Sequence, residues 1–262
     1  MILDRFRLSE RVAIVTGSGR GIGRGIALGF AEAGAHVVCS ARTVEQIEAA
    51  AAKVRGFGSR ALAVPCDVTD RAQLENLVSQ TMKEFGRIDI LVNNAGGSPP
   101  RPALRTSERM FEEAFHFNVT SAFVLSRLTI PHMLENDGGT IVNISSGLSW
   151  LVEKGFVAYG TAKAALSHMT RLLAYEFAPR VRVNGLAVGA IETDALAPFL
   201  ANDEMRQKLA STTPMERIGT VEDIAAAALY LASPAASWVT GKIFEVDGGT
   251  VASNWPLDFP AV

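Results

Sequence analysis

Tyr159 and Lys163 stand four positions apart in Tyr159-Gly-Thr-Ala-Lys163, so a helix through them sends both side chains from one face. Thirteen positions before Tyr159, Ser146 follows the apolar run Thr140-Ile-Val-Asn-Ile144, which reads as a buried strand. A strand end and the first turn of the next helix therefore bring a hydroxyl, a phenol and an ammonium together. Such a trio can hold an oxygen and pass it a proton. Proton transfer of this kind complements a hydride moving beside it, so the chain needs somewhere to lodge a hydride carrier.

The elements that must position these residues alternate in type. Apolar runs of strand length fall at 12–16, 36–40, 60–65, 88–93, 140–145, 181–187 and 243–246. Amphipathic helical stretches lie between them, at 22–33, 44–55, 71–85, 110–136, 158–177 and 221–231. Continuously apolar strands suit a sheet covered on both faces. The alternation predicts an α/β fold, a single Rossmann-like doubly wound parallel sheet of about seven strands with helices on both faces. With no repeat or linker, residues 1–262 read as one domain.

Functional loops in such folds lie beyond the carboxyl ends of the strands. The first strand runs into Thr16-Gly17-Ser18-Gly19-Arg20-Gly21-Ile22-Gly23 and then a helix. Glycines here permit a tight turn and let backbone approach a pyrophosphate, which then sits on the helix N-terminus. A glycine-rich turn without ligand is the plainer reading; the strand–turn–helix context favours a dinucleotide. The Gly-Lys-Ser/Thr ending of a nucleoside-triphosphate loop is absent.

The second strand ends in Cys39-Ser40-Ala41-Arg42-Thr43. An acidic residue there would hold the ribose hydroxyls of NAD, whereas arginine accommodates the 2′-phosphate of NADP. Arg42, with Arg20 as a second positive group, favours NADP(H) over NAD(H). Asp67 and Val68, after the third strand, could meet the adenine, or Asp67 could cap the next helix. The fourth strand enters Asn93-Asn94-Ala95-Gly96-Gly97, a bend that also suits cofactor contact. Asn118 interrupts an apolar helical stretch and must find partners, structural or by way of a water.

Composition is that of an ordinary soluble protein, 48% hydrophobic and 20% charged, and a formal net charge of -2 argues against nucleic acid or anionic membrane as partner. Cys39 and Cys66 fall in apolar strands, so neither a disulfide nor a metal site is expected. No signal-like N-terminus or membrane-length apolar run is present, and a cytoplasmic location is expected.

Thr16-Gly-x-x-x-Gly-x-Gly23, Asn93-Asn94-Ala95-Gly96, Ser146 and Tyr159-x-x-x-Lys163 together resemble the short-chain dehydrogenase/reductase family, in order and spacing, across essentially the whole chain. The resemblance implies Tyr159 as general acid/base, Ser146 orienting the substrate oxygen, Lys163 lowering the phenol pKa and holding the nicotinamide ribose, and Asn118 holding a water. A cation within about 4–6 Å lowers an acid's pKa by about 1–3 units, which a phenol near 10 needs. It also places Ile191 and Thr193 at the nicotinamide carboxamide. Val188-Gly189 stands where the family has Pro-Gly, which keeps an apolar wall but loosens the turn.

Substrate loops are expected at 97–107, 147–157 and 194–213, where Leu148, Trp150, Leu151, Phe156, Phe199, Leu200 and Met205 suit a hydrophobic ketone or alcohol, steroid-like in size. Within the family, the stretches Val181–Gly185 and Ser233–Gly241 look most like hydroxysteroid dehydrogenases. A 3-oxoacyl-carrier-protein reductase is the alternative, disfavoured because Pro131, Glu135, Asp137 and Tyr175 stand where arginines would dock an acidic carrier. A non-catalytic dinucleotide sensor is the alternative of another class. The family implies a homotetramer, and Trp255-Pro-Leu-Asp-Phe259 is expected to pack on a neighbouring subunit.

Overall fold

The computed structural model describes residues 1–194 and 196–255. Its seven strands are β1 (Val12–Thr16), β2 (His36–Ala41), β3 (Ala61–Pro65), β4 (Ile90–Asn93), β5 (Gly139–Ser146), β6 (Val181–Val188) and β7 (Ile243–Val246). They form one parallel sheet in the order β3-β2-β1-β4-β5-β6-β7. The chain builds outward from β1 to β3, then returns to the other side of β1 as β4. That reversal opens a crevice beyond the carboxyl ends of β1 and β4, where open α/β sheets bind their ligands.

The helices are α1 (Gly21–Glu32), α2 (Val44–Gly56), α3 (Arg71–Phe85), α4 (Glu108–Phe115), α5 (Ser121–Glu135), α6 (Val157–Phe177), α7 (Ala197–Leu200), α8 (Asp203–Ser211) and α9 (Val221–Ala232). Successive strand residues face opposite ways. Ala13 and Val15 of β1 join one apolar cluster with Ile26, Ile47 and Ile224 from α1, α2 and α9. Ile14 joins another with Leu74, Leu125 and Leu173 from α3, α5 and α6. Both faces are covered, which is why these strands read as unbroken apolar runs. Ile14 is fully buried, and its truncation to alanine would cost about 2–5 kcal/mol.

The expected single helix 110–136 is interrupted. Its first part, α4, starts two residues earlier, where Ser107 Oγ accepts from Met110 N at 3.3 Å. Between α4 and α5 the chain makes a π-helical turn, His116–Thr120. Asn118 Nδ2 donates to Ala114 O at 2.8 Å and Ser121 Oγ to Phe117 O at 2.6 Å. Side chains thus meet carbonyls at this widened turn.

Asn93 and Asn143 sit opposite each other in register and form a buried polar ladder. Asn93 Nδ2 donates to Asn143 Oδ1 at 2.8 Å and to Ser126 Oγ at 3.2 Å; Asn143 Nδ2 donates to Thr170 Oγ1 at 2.8 Å. These bonds tie β4 and β5 to the helices over them, so the two strand ends that feed the site hold one geometry.

Candidate active site

Ser146 is the last residue of β5, and its Oγ accepts from Leu148 N at 3.2 Å. Tyr159 and Lys163 leave the first turns of α6 on one face, as their spacing predicts. A second tie fixes that helix against the strand: Ser145 Oγ donates to Lys163 O at 3.2 Å and lies 2.7 Å from Ser167 Oγ. The three candidate side chains therefore sit on two elements tied together one residue from Ser146.

Their electrostatics differ from the sequence expectation. Burial raises the Tyr159 phenol above its ordinary value, and the neighbouring Ser146 hydroxyl acts against that rise. Lys163, 4% exposed, is brought down by burial to about 8. Its Nζ donates to Ile144 O at 2.8 Å and lies 5.7 Å from the centre of the Tyr159 ring. In this arrangement desolvation outweighs attraction between cation and phenol. The phenol is held protonated, the state a proton donor needs.

The Asn118 side chain is spent on the protein. Its Oδ1 accepts from Gly97 N at 2.8 Å, and Nδ2 donates to Gly97 O at 2.9 Å as well as to Ala114 O. A Cβ at Gly96 would stand 2.7 Å from Asn118 Oδ1 and 3.0 Å from Lys163 Nζ, so only glycine lets these groups and the β4 loop converge. Asn118 positions that loop through its side chain.

The loop after β1 has the shape of a phosphate cradle. Gly17 and Gly21 adopt φ of +66° and +53°, where side chains are strained. A Cβ on Gly23 would run into the Gly17 carbonyl and the Asn94 amide. Asn94 Nδ2 donates to Thr16 O at 2.9 Å, and Thr16 Oγ1 accepts from Asn94 N and Ala95 N at 3.0 and 3.1 Å. Backbone open to close approach at the start of α1 fits a dinucleotide pyrophosphate. Ile22 is the second residue of that helix. Ser18 departs from expectation, because its hydroxyl and N–H are both engaged with the Ser40 backbone. It holds β2 to the loop.

Arg42 is exposed at the end of β2 beside Thr43, the N-cap of α2. Arg20 lies 3.9 Å from Asp194, and both are exposed. Asp67 does not cap α3; Asp70 does, accepting from Ala72 N and Gln73 N. Asp67 Oδ1 instead accepts from Thr69 N and Oγ1 at 2.9 and 2.7 Å, bonds that hold its carboxyl below the usual range. Val68 beside it is buried. Val188 is buried in the apolar cluster on one face of the sheet, and without proline β6 simply continues: Val188 is its last residue, in register with Ser146 and Val246. Gly189 N donates to Val246 O at 3.1 Å, and the turn is held rather than loose. Ile191 is buried, and Thr193 comes within 3.5 Å of where a Gly21 Cβ would stand.

One cleft of about 730 Å³ runs from Arg42 and Asp67 to Gly155 and Tyr159. Its walls carry more charge than the sequence suggested, with Arg101, Arg109, Glu112 and Glu113 among the lining residues. The expected apolar side chains are distributed differently. Trp150 is 46% exposed, Leu200 is buried beside a separate cavity of about 410 Å³ near Thr193, and the Phe199 side chain lies outside those described. Phe156 is buried, its ring 6.2 Å from Tyr159 and 5.0 Å, edge-on, from Trp255. Trp255 thus packs on Phe156 of its own chain; Pro256–Phe259 lie outside the described residues. Asn254 Nδ2 donates to Thr213 Oγ1 at 3.0 Å, joining this segment to the loop after α8. The sequence signal for Arg101 was present but unread: it stands between prolines in Pro99-Pro100-Arg101-Pro102.

A family profile described as enoyl-(acyl carrier protein) reductase matches residues 17–251. An uncharacterized oxidoreductase of Mycobacterium tuberculosis is 49% identical over 261 residues, covering 99% of each chain. The chain belongs to the short-chain dehydrogenase/reductase family. A solved member, 7α-hydroxysteroid dehydrogenase complexed with NADH and 7-oxo glycochenodeoxycholic acid, superposes with a TM-score of 0.92 at 42% identity, over 96% of this chain and 98% of its own. Another, gluconate 5-dehydrogenase from Burkholderia cenocepacia in complex with NADP and tartrate, gives 0.89 at 34% identity, over 95% and 98%. As a short-chain dehydrogenase/reductase, the protein is an oxidoreductase acting on alcohol and ketone groups. Among the described residues, no helix is long and apolar enough to cross a membrane, and no cluster of side chains suits a metal ion.

Proposed function

We propose that this enzyme interconverts a ketone and a secondary alcohol on a bulky, mainly apolar substrate, with Tyr159 as proton donor and acceptor. The observation that carries this reading is that Ser146, Tyr159 and Lys163 converge where the cleft ends, beside Gly96 and the β1 crevice. A steroid-sized substrate is suggested by the hydroxysteroid dehydrogenase relative and by the cleft volume.

Backbone at Gly17, Gly21 and Gly23 would hold a pyrophosphate, Asp67 and Val68 the adenine, Asn94, Ala95 and Gly96 the adjoining edge, and Val188, Gly189, Ile191 and Thr193 the nicotinamide end. We infer NADP(H) in preference to NAD(H), because Arg42 has no ion pair among the described residues and opens on the cleft, whereas Arg20 faces Asp194. The reduced nicotinamide, when bound, supplies a hydride to the carbonyl carbon.

The chain's own residues do the rest. Ser146 Oγ donates to the substrate carbonyl oxygen and fixes its position. Tyr159, kept protonated by burial, gives its proton to that oxygen as negative charge develops there. The Lys163 ammonium stands close enough to stabilise the phenolate left behind, and in the reverse direction it favours the phenolate that accepts the alcohol proton.

A homo-oligomer, a tetramer by family expectation, is supported by apolar surface on α5 and α6: Phe123, Leu172 and Tyr175 are exposed, although Leu125, Leu166 and Leu173 face the core. Carrier docking is disfavoured by exposed Glu135 at the end of α5.

The decisive measurement is turnover over a panel of cyclic ketones with NADPH and with NADH. Wild type is expected to favour NADPH, and Arg42→Ala to erase most of that preference. Equal turnover by wild type and Tyr159→Phe would refute the catalytic assignment. A wild-type preference for NADH would refute the cofactor assignment.

A further inference from the structure

The geometry points to Arg101 as an anchor for an anionic group, a carboxylate, at the end of the substrate remote from its carbonyl. This inference rests on the ketone-reducing site above and adds the substrate's charge class to it.

Arg101 lies in Pro99-Pro100-Arg101-Pro102, where each proline fixes its own φ and Pro102 restricts Arg101 to extended backbone. Both backbone polar groups of Arg101 are held. Its N–H donates to Gly155 O at 2.7 Å, and its carbonyl accepts from Thr106 Oγ1 at 3.4 Å. Gly155 immediately precedes Phe156, the N-cap of the helix that carries Tyr159. The base of this arginine is therefore fixed to the same short segment as the proton donor.

Its side chain lines the cleft together with Tyr159. No acidic partner holds the guanidinium among the described residues. Arg109 on the same cleft differs, since it faces Glu113 at 3.7 Å on α4. Arg42 lies toward the adenosine end, beside Asp67. Arg101 is thus the cleft arginine left with its charge available to a substrate. A guanidinium whose backbone is already ordered loses less freedom on binding a carboxylate, and its planar donors match two carboxylate oxygens. Glu112 also lines the cleft and opposes an anion there, so the attraction is local to Arg101 rather than a property of the whole cleft.

The test uses the protein loaded with NADP and two probes of one shape, an oxocyclohexyl alkanoic acid and its methyl ester. Binding of each is measured by calorimetry at low and high salt, and turnover of each with NADPH is followed separately. The acid is expected to bind about tenfold tighter than the ester, with the advantage shrinking at high salt. Arg101→Gln should abolish that ratio while leaving the ester unchanged. Arg101→Lys should restore part of it, and Glu112→Gln should enlarge it.

Equal binding of acid and ester by wild type overturns the proposal. So does an Arg101→Gln variant that loses both probes by the same factor, which would make the loop merely structural. The ketone-reducing reading is judged on ester turnover alone, so the two can fail independently.

Discussion

Lys163 Nζ donates to the carbonyl of Ile144 at 2.8 Å, two residues before the serine of its own site. That single bond is what the buried ammonium receives for leaving water, and it is insufficient: the pKa drops from 10.5 to about 8. The folded chain therefore binds fewer protons than the unfolded chain between those values, and stability rises with pH across that window. Below pH 8 the penalty is complete, about 3 kcal/mol. Lys163→Met should unfold at higher denaturant than wild type at pH 7, by up to that amount, with the gap closing toward pH 10. Tyr159 acts oppositely, since its raised pKa removes stability only above about pH 10. A wild-type stability that is flat from pH 8 to 10 would contradict this account.

Tyr159→Phe should fold as wild type does and keep its cofactor affinity, because the ring still packs against Phe156. Its turnover should fall by about 10²–10⁴, the usual worth of a positioned acid or base. Steady-state kinetics beside fluorescence titration of NADPH separates the two effects.

Gly23→Ala should be costly, since the new methyl meets the Gly17 carbonyl and the Asn94 amide at the heart of the cradle. We expect about 1–3 kcal/mol of destabilisation and a loss of cofactor binding beyond that. Gly56→Ala is the control. At the end of α2 a Cβ there meets nothing within 4 Å, and alanine should match or exceed wild type in thermal stability.

Asn118→Ala leaves the Gly97 N–H, the Gly97 carbonyl and the Ala114 carbonyl without their partner. About 2–3 kcal/mol of stability should be lost in urea unfolding. Turnover should fall too, because Gly96 and Lys163 share the space beside that amide. Asn118→Asp should recover the Gly97 N–H bond but not the two bonds that Nδ2 donates.

Periodicity and glycine spacing were enough to place the seven strands, because every strand but the edge strand β7 is apolar on both faces and each crossover is helical. Tyr159, Lys163 and Ser146 were readable for a similar reason, since their relation depends on one helix and one strand end. What could not be read depended on contacts between distant segments. Nothing local says that Asn118 turns back to Gly97, that the Ser18 hydroxyl belongs to Ser40, or that Asp70 rather than Asp67 takes the cap. The pKa reversal at Tyr159 and Lys163 is of the same kind, because spacing fixes their proximity but burial is set by the whole fold. Of the three loops expected to meet a substrate, 97–107 and 147–157 contribute to the cleft wall and no described residue of 194–213 does, and Arg101 stands where apolar lining was expected.

Trp255 stands on Phe156, and Phe156 stands beside Tyr159, while among the described residues no strand pairs with the segment after β7. A change at Trp255 would therefore leave the strand pairing untouched and reach Tyr159 only by way of the Phe156 ring. The aromatic stack is a lever set apart from the sheet: it can be altered at one end without rebuilding the scaffold that carries the other.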